Sequence, residues 1–275
     1  MSKLVRDLMH SGVISCPPDA PLGQVASLLT LYHIHALVVI QRDDYPMGII
    51  SDFDLLAGEW LSVDSESMAT MRKLTAADLM SSPVDTIESN IGLSEAAHTL
   101  IEKDVNRLLV TENGIPVGII SISDFVTSIA SEEKPQRETV ADVMSDAILV
   151  CRRKTPLVSA ARTMTQAGWR SVLVVDAKGK PQGVVSGKDL MPFVENGVNE
   201  KLTVSDIMHP PISIDIYASL REAADLMIQN HHHRLIVIDK NEPESFPLGI
   251  ISSFDIVAEM AKPGSIWQTK NNHDV

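Results

Sequence analysis

Two short phrases recur in the same order four times along the 275 residues, and this restricts the chain to copies of one supersecondary unit. The first phrase ends in Asp-h-Met, where h is apolar: Arg6-Asp7-Leu8-Met9, Ala77-Asp78-Leu79-Met80, Ala141-Asp142-Val143-Met144 and Ser205-Asp206-Ile207-Met208. The second is Gly48-Ile49-Ile50-Ser51, Gly118-Ile119-Ile120-Ser121, Gly183-Val184-Val185-Ser186 and Gly249-Ile250-Ile251-Ser252. Three residues beyond each serine stands an aspartate: Asp54, Asp124, Asp189 and Asp255.

Between the phrases lies an apolar stripe at helical spacing. It reads Leu22, Val25, Ala26, Leu29 in the first copy and Leu93, Ala96, Ala97, Leu100 in the second. The third has Leu157, Ala160, Ala161, Met164, and the fourth Leu220, Ala223, Ala224, Met227. Ser94, Thr155 and Ser219 are the expected helix-start residues. Short leading strands are expected at 13–16, 84–87, 148–151 and 212–215. Further β-type runs follow the helix at 36–40, 108–111, 172–175 and 235–238, and a turn then leads into the strand of the second phrase. Beyond each Ser-x-x-Asp the apolar spacing is helical again, as at Leu190, Phe193 and Val194. The expected fold is therefore α/β, four β-α-β-β-α repeats.

The repeats are placed at 1–57, 76–130, 140–194 and 204–261. An insertion falls at 58–75, polar linkers at 131–139 and 195–203, and a polar tail with Trp267 at 262–275. One unit has too few strands to cover its apolar faces. Consecutive copies are therefore expected to pair, sheet face beside sheet face, over a shared core.

Composition narrows the function. A net charge of −13 opposes binding to nucleic acid or an anionic membrane over the whole surface, and 4% aromatic residues leave few platforms for stacking bases. The longest apolar runs are far short of the ~20 residues a membrane span needs, and the first residues lack the apolar core of a signal peptide. Two cysteines, Cys16 and Cys151, cannot build a disulfide framework, which favours a cytoplasmic location. No P-loop, dinucleotide fingerprint or nucleophile elbow is present.

As an ensemble these motifs resemble the cystathionine beta-synthase (CBS) domain family over about residues 4–261. In that family two repeats pair into a Bateman module, and two modules can assemble into a flat disc within one chain or between two, so a homo-dimer is one form the resemblance allows. The gamma subunit of the AMP-activated kinase shares the four-repeat layout. The resemblance implies adenosine ligands in clefts between paired repeats. It assigns ribose and phosphate contacts to Ser51, Asp54, Ser121, Asp124, Ser186, Asp189, Ser252 and Asp255.

The residues themselves leave two readings of Ser-x-x-Asp. A serine ending a strand and an acid in the helix's first turn make a helix cap. The same short carboxylate can accept hydrogen bonds from the two hydroxyls of a ribose, while the helix N-terminus favours phosphate. Basic residues cluster just before the post-helix strand, at His35, Arg107, Arg170, His233 and Arg234. They are read either as phosphate contacts or as groups capping the preceding helix C-terminus. Trp169 either stacks on a ligand or fills the third cleft. Lys188 adds charge or is solvated. His231-His232-His233 splay to different sides of a helix end and are not expected to hold a metal. Cys16 and Cys151 read as small core residues rather than nucleophiles.

The sequence therefore points to a non-enzymatic regulatory protein. It is expected to bind AMP, ADP or ATP and to pass a conformational change to a separate regulated protein. The alternatives are S-adenosylmethionine or a cyclic dinucleotide in the same sites, or an unliganded interaction scaffold.

Overall fold

In the computed structural model, residues 3–41, 45–60, 73–130, 138–196, 201–242 and 246–262 are described. Each repeat has the expected element order. Repeat 1 runs through strand Ser15–Cys16, helix Leu22–Tyr32, strands Ala36–Ile40 and Pro46–Ser51, and helix Asp52–Trp60. Repeat 2 runs through Thr86–Glu88, Leu93–Glu102, Arg107–Glu112, Ile115–Ser121 and Ile122–Ala130. Repeat 3 has Val150–Arg152, Leu157–Ala167, Ser171–Val175, Pro181–Ser186 and Gly187–Asn196. Repeat 4 has Ser213–Asp215, Leu220–Asn230, Arg234–Ile238, Gly249–Ser252 and Ser253–Ala261.

The post-helix strand is central in every sheet. It pairs parallel with the leading strand and antiparallel with the strand that ends in serine. The first helix supplies the long crossover that a parallel pair requires. The leading strands are shorter than expected. The helices Asp52–Trp60 and Gly187–Asn196 run past the expected repeat ends at 57 and 194. Ser219 is an N-cap, its hydroxyl accepting from the Glu222 N–H at 3.2 Å. Ser94 lies in the first turn behind a Gly92 cap, and Thr155, just ahead of a Pro156 cap, accepts the Arg152 N–H at 3.0 Å. Most of the insertion (61–72), the linker residues 131–137 and 197–200, and the tail from 263 with Trp267 lie outside the described residues.

The chain divides into two compact units. One comprises residues 14–84 and 148–211, the bodies of repeats 1 and 3; the other comprises 1–13, 85–147 and 212–275, the bodies of repeats 2 and 4. In the first, the second helix of repeat 1 packs on both helices of repeat 3. Leu55, Leu56, Leu190 and Met191 lie there in one buried cluster with Ala26, Ala160 and Ala161. In the other, the second helix of repeat 2 packs on both helices of repeat 4, with Phe125, Ile129, Ile256 and Val257 against Ala96, Ala97, Ala223 and Ala224. Every residue of the four expected stripes is buried.

Within each unit the core is helix on helix, between the two repeats whose bodies that unit holds. The alanine pairs let these helices approach closely, and each second helix brings large side chains that need cover.

Consecutive repeats are tied by exchange. The segment carrying Asp-h-Met, here the lead-in, docks on the sheet of the neighbouring repeat within one unit. His10–Ser11 pairs antiparallel with Ile119 and Gly118. The Ile49 N–H donates to Ser81 O at 3.0 Å and the Ser81 N–H to Ile49 O at 2.8 Å. Ser145 and Ile250, and His209 and Val184, exchange the same two bonds. The glycine of the second phrase makes room for this. A Cβ on Gly48 would stand 2.5 Å from Ser81 O and 2.8 Å from Met80 Sδ, and one on Gly183 2.7 Å from Met208 Sδ. Cβ atoms on Gly118 and Gly249 would collide with the carbonyl oxygens of His10 and Ser145. The two phrases recur together because they touch.

Candidate functional site

The serine–aspartate pair sits at the junction of the last strand and the second helix in all four repeats. Asp54 Oδ2 accepts from the Ser51 N–H at 2.8 Å and the Ser51 hydroxyl at 2.7 Å. Asp124 Oδ2 accepts both Ser121 donors at 2.7 Å, Asp189 Oδ2 both Ser186 donors at 2.8 Å, and Asp255 Oδ2 both Ser252 donors at 2.7 Å. This is a capping box, worth satisfying because the first N–H groups of a helix lack internal partners. The bland reading of the motif thus accounts for one carboxylate oxygen, Oδ2, in every copy. It leaves Oδ1 to other duties.

The basic position is fastened to the same junction. The residue after each serine donates its N–H to the carbonyl of the residue in that position: Asp52 to His35 at 3.1 Å, Ile122 to Asn106 at 3.0 Å, Gly187 to Arg170 at 3.1 Å and Ser253 to His233 at 3.0 Å. Arg107 and Arg234 lie directly across the ladder from Ser121 and Ser252, close enough for cross-strand side chains to interact. His35 Nδ1 is 2.8 Å from Asp52 Oδ2. Arg170 reaches repeat 1 of its own unit, its guanidinium 5.2 Å from the Phe53 ring centroid. There its charge, with the Ser51 hydrogen bonds, pulls the Asp54 carboxyl down. Burial outweighs both, and the net effect raises Asp54 above its ordinary value. Arg170 therefore attends the motif of repeat 1 as well as lying at that of repeat 3. Trp169 is half-buried and Lys188 exposed.

The Asp of each Asp-h-Met reads from the sequence as a helix cap, which the structure bears out; two sets of residues around it were missed. The aspartates of the lead-ins are held by a threonine three positions earlier: Asp78 by Thr75, Asp142 by Thr139 and Asp206 by Thr203, through both the N–H and the hydroxyl. These bonds keep the three carboxyls below the ordinary range. The repeated threonine was the available signal. The other set is the residue after Asp-h-Met, which is histidine in copies 1 and 4 and serine in copies 2 and 3. His10 Nδ1 lies 2.8 Å from Asp124 Oδ1, and His209 Nε2 2.8 Å from Asp189 Oδ1. A reading confined to each repeat hides these contacts, because both histidines come from the neighbouring lead-in.

Among the described residues, no group of three or more His, Cys, Asp or Glu is arranged to hold a metal ion. His231 ends the first helix of repeat 4 in the left-handed conformation, φ 54°. Both cysteines are free, and burial pushes each thiol up to about 11. No helix among the described residues is long and apolar enough to cross a membrane.

A family model for the CBS domain matches residues 5–59, 76–131, 140–196 and 204–262. An uncharacterized protein of Methanocaldococcus jannaschii is 25% identical over 280 residues, covering 95% of this chain and 62% of its own length. The L-aspartate semialdehyde sulfurtransferase of the same organism is 32% identical over 114 residues, 41% of this chain and 22% of the enzyme. The chain thus spans less than two thirds of either relative. A crystal structure from M. jannaschii, of a protein proposed as an archaeal homologue of the AMP-activated kinase gamma subunit, matches with a TM-score of 0.81. It is 18% identical and the match covers 94% of this chain and 99% of that one, a likeness of fold. With four family matches falling on the four structural repeats, the chain belongs to the CBS-domain family.

Proposed function

We propose that this chain is a non-enzymatic, cytoplasmic sensor of adenine nucleotides. The ribose of AMP, ADP or ATP would be held by the aspartates of the Ser-x-x-Asp motifs, and the phosphates by the basic positions beside them. The observation that carries this reading is the division of labour in the carboxylate. The cap consumes Oδ2 in all four copies, and Oδ1 makes no cap bond. A diol needs an acceptor held rigidly beside a source of positive charge, and Asp54 with Arg170 supplies both. Charge-assisted bonds from Arg to phosphate contribute about 1.5–3 kcal/mol each. A ligand that favours one arrangement of the repeats shifts the affinity of a protein that also distinguishes those arrangements. Such a protein is the expected regulated partner.

The capping box itself favours a second reading, an interaction scaffold whose motifs only cap helices. Calorimetric titration with AMP, ADP, ATP, S-adenosylmethionine and a cyclic dinucleotide separates the two. Saturable binding of an adenylate, strongest among these ligands, is expected. Binding of S-adenosylmethionine or the cyclic dinucleotide alone would move the ligand assignment. No heat with any of the five would leave the scaffold.

A further inference from the structure

Each unit contains two Ser-x-x-Asp motifs, and the lead-ins treat them differently. In the unit of repeats 2 and 4, His10 sits on Asp124 Oδ1, whereas the lead-in residue docked on repeat 4 is Ser145. In the unit of repeats 1 and 3, His209 sits on Asp189 Oδ1, whereas the lead-in residue docked on repeat 1 is Ser81. Ser145 Oγ accepts from the Ala147 N–H and is turned to its own loop. Among the described residues, no hydrogen bond is made to Asp54 Oδ1 or Asp255 Oδ1.

We propose that His10 and His209 are specificity-determining latches that occupy the ligand-accepting oxygen of Asp124 and Asp189. They would divide the four motifs into two open sites, at Asp54 and Asp255, and two latched sites, one of each kind per unit. This deepens the nucleotide reading and rests on it. The ligand class is a molecule with a vicinal diol, and a diol hydroxyl approaching Oδ1 of Asp124 or Asp189 competes with an imidazole already bonded there. The latches are built to yield. The His10 side chain is 82% exposed and that of His209 54%, over carboxylates that are 5% and 14% exposed, so each imidazole is a single hydrogen bond on the solvent side of the acceptor, held weakly against water. Displacing one therefore weakens binding about two- to fivefold rather than abolishing it. Histidine against serine at one lead-in position thus sets the order in which the sites fill.

AMP titrations of paired variants test this. Asp→Asn is the substitution used, because asparagine keeps an oxygen for the Ser N–H while its amide cannot accept a second hydroxyl. D124N/D189N retains the open pair and D54N/D255N the latched pair. The latched pair is expected to bind AMP two- to fivefold more weakly. Adding H10S and H209S to D54N/D255N should recover that factor, whereas H98A, removing an exposed histidine 3.7 Å from Glu102, should not. Equal affinities of the two Asn pairs, or no gain from H10S/H209S, would overturn the latch while leaving the nucleotide reading intact. Failure of the parent chain to bind AMP would overturn both. Unchanged far-UV circular dichroism shows that each variant is folded.

Discussion

Gly48 lies where the lead-in of repeat 2 crosses the last strand of repeat 1, and Gly48→Ala probes that crossing. The added methyl would stand 2.5 Å from Ser81 O, 2.8 Å from Met80 Sδ and 3.0 Å from Met80 Cγ. The thioether can swing aside, but the carbonyl cannot. Ser81 O accepts the Ile49 N–H at 3.0 Å while the Ser81 N–H donates to Ile49 O at 2.8 Å, so backing away stretches both bonds. Overpacking of this kind costs about 1–3 kcal/mol. At about 2–4 °C per kcal/mol for a domain of 150–250 residues, the melting temperature should fall by roughly 2–12 °C. Gly23 is the control: it is helical and exposed, with nothing within 4 Å of an added Cβ. Gly23→Ala should gain about 0.5–1 kcal/mol through helix propensity. Thermal and urea unfolding of both variants gives the comparison. A Gly48→Ala protein as stable as the parent would refute the docking of the lead-in against this strand.

Two further outcomes follow from burial and hydrogen bonding. Because burial holds both thiols up to about 11, Cys16 and Cys151 should react with a thiol reagent at pH 8 far more slowly in the folded chain than in urea; equal rates would contradict the packing around them. The lead-in carboxyls Asp78, Asp142 and Asp206 are depressed by their threonine bonds. Their stabilisation is therefore present above the unfolded carboxylate pKa and is lost as pH falls through the lowered folded values. Asp54, raised by burial, acts with the opposite sign, its protonation favouring the folded state. Melting temperatures across the acid range should thus decline, and less steeply in D78N/D142N/D206N; an unchanged slope in that variant would remove the threonine boxes from the account.

Periodicity made the local fold legible. The stripe Leu22, Val25, Ala26, Leu29 and its three counterparts are buried as the 3.6-residue spacing requires, and the post-helix strand of repeat 1 runs over Ala36–Ile40 as expected. The helix-on-helix core was less legible, since an apolar face states that it is covered but not by which copy. Thus Leu55 and Leu56 meet repeat 3, and Phe125 shares its cluster with Ile256 of repeat 4. At the site, Ser51 and Asp54 were readable as a pair because three residues separate strand end from first helical turn. His10 was not, because its partner Asp124 is distant in sequence and is reached only through the exchange of lead-ins.

A crystal structure of the chain grown with AMP measures directly where an adenylate ribose lies. Ribose hydroxyls within about 3 Å of Asp54 Oδ1 and Asp255 Oδ1 are expected, with Ser51 and Ser252 still bonded to Oδ2. AMP bound elsewhere, with all four carboxylates engaged only by protein groups, would contradict the central claim.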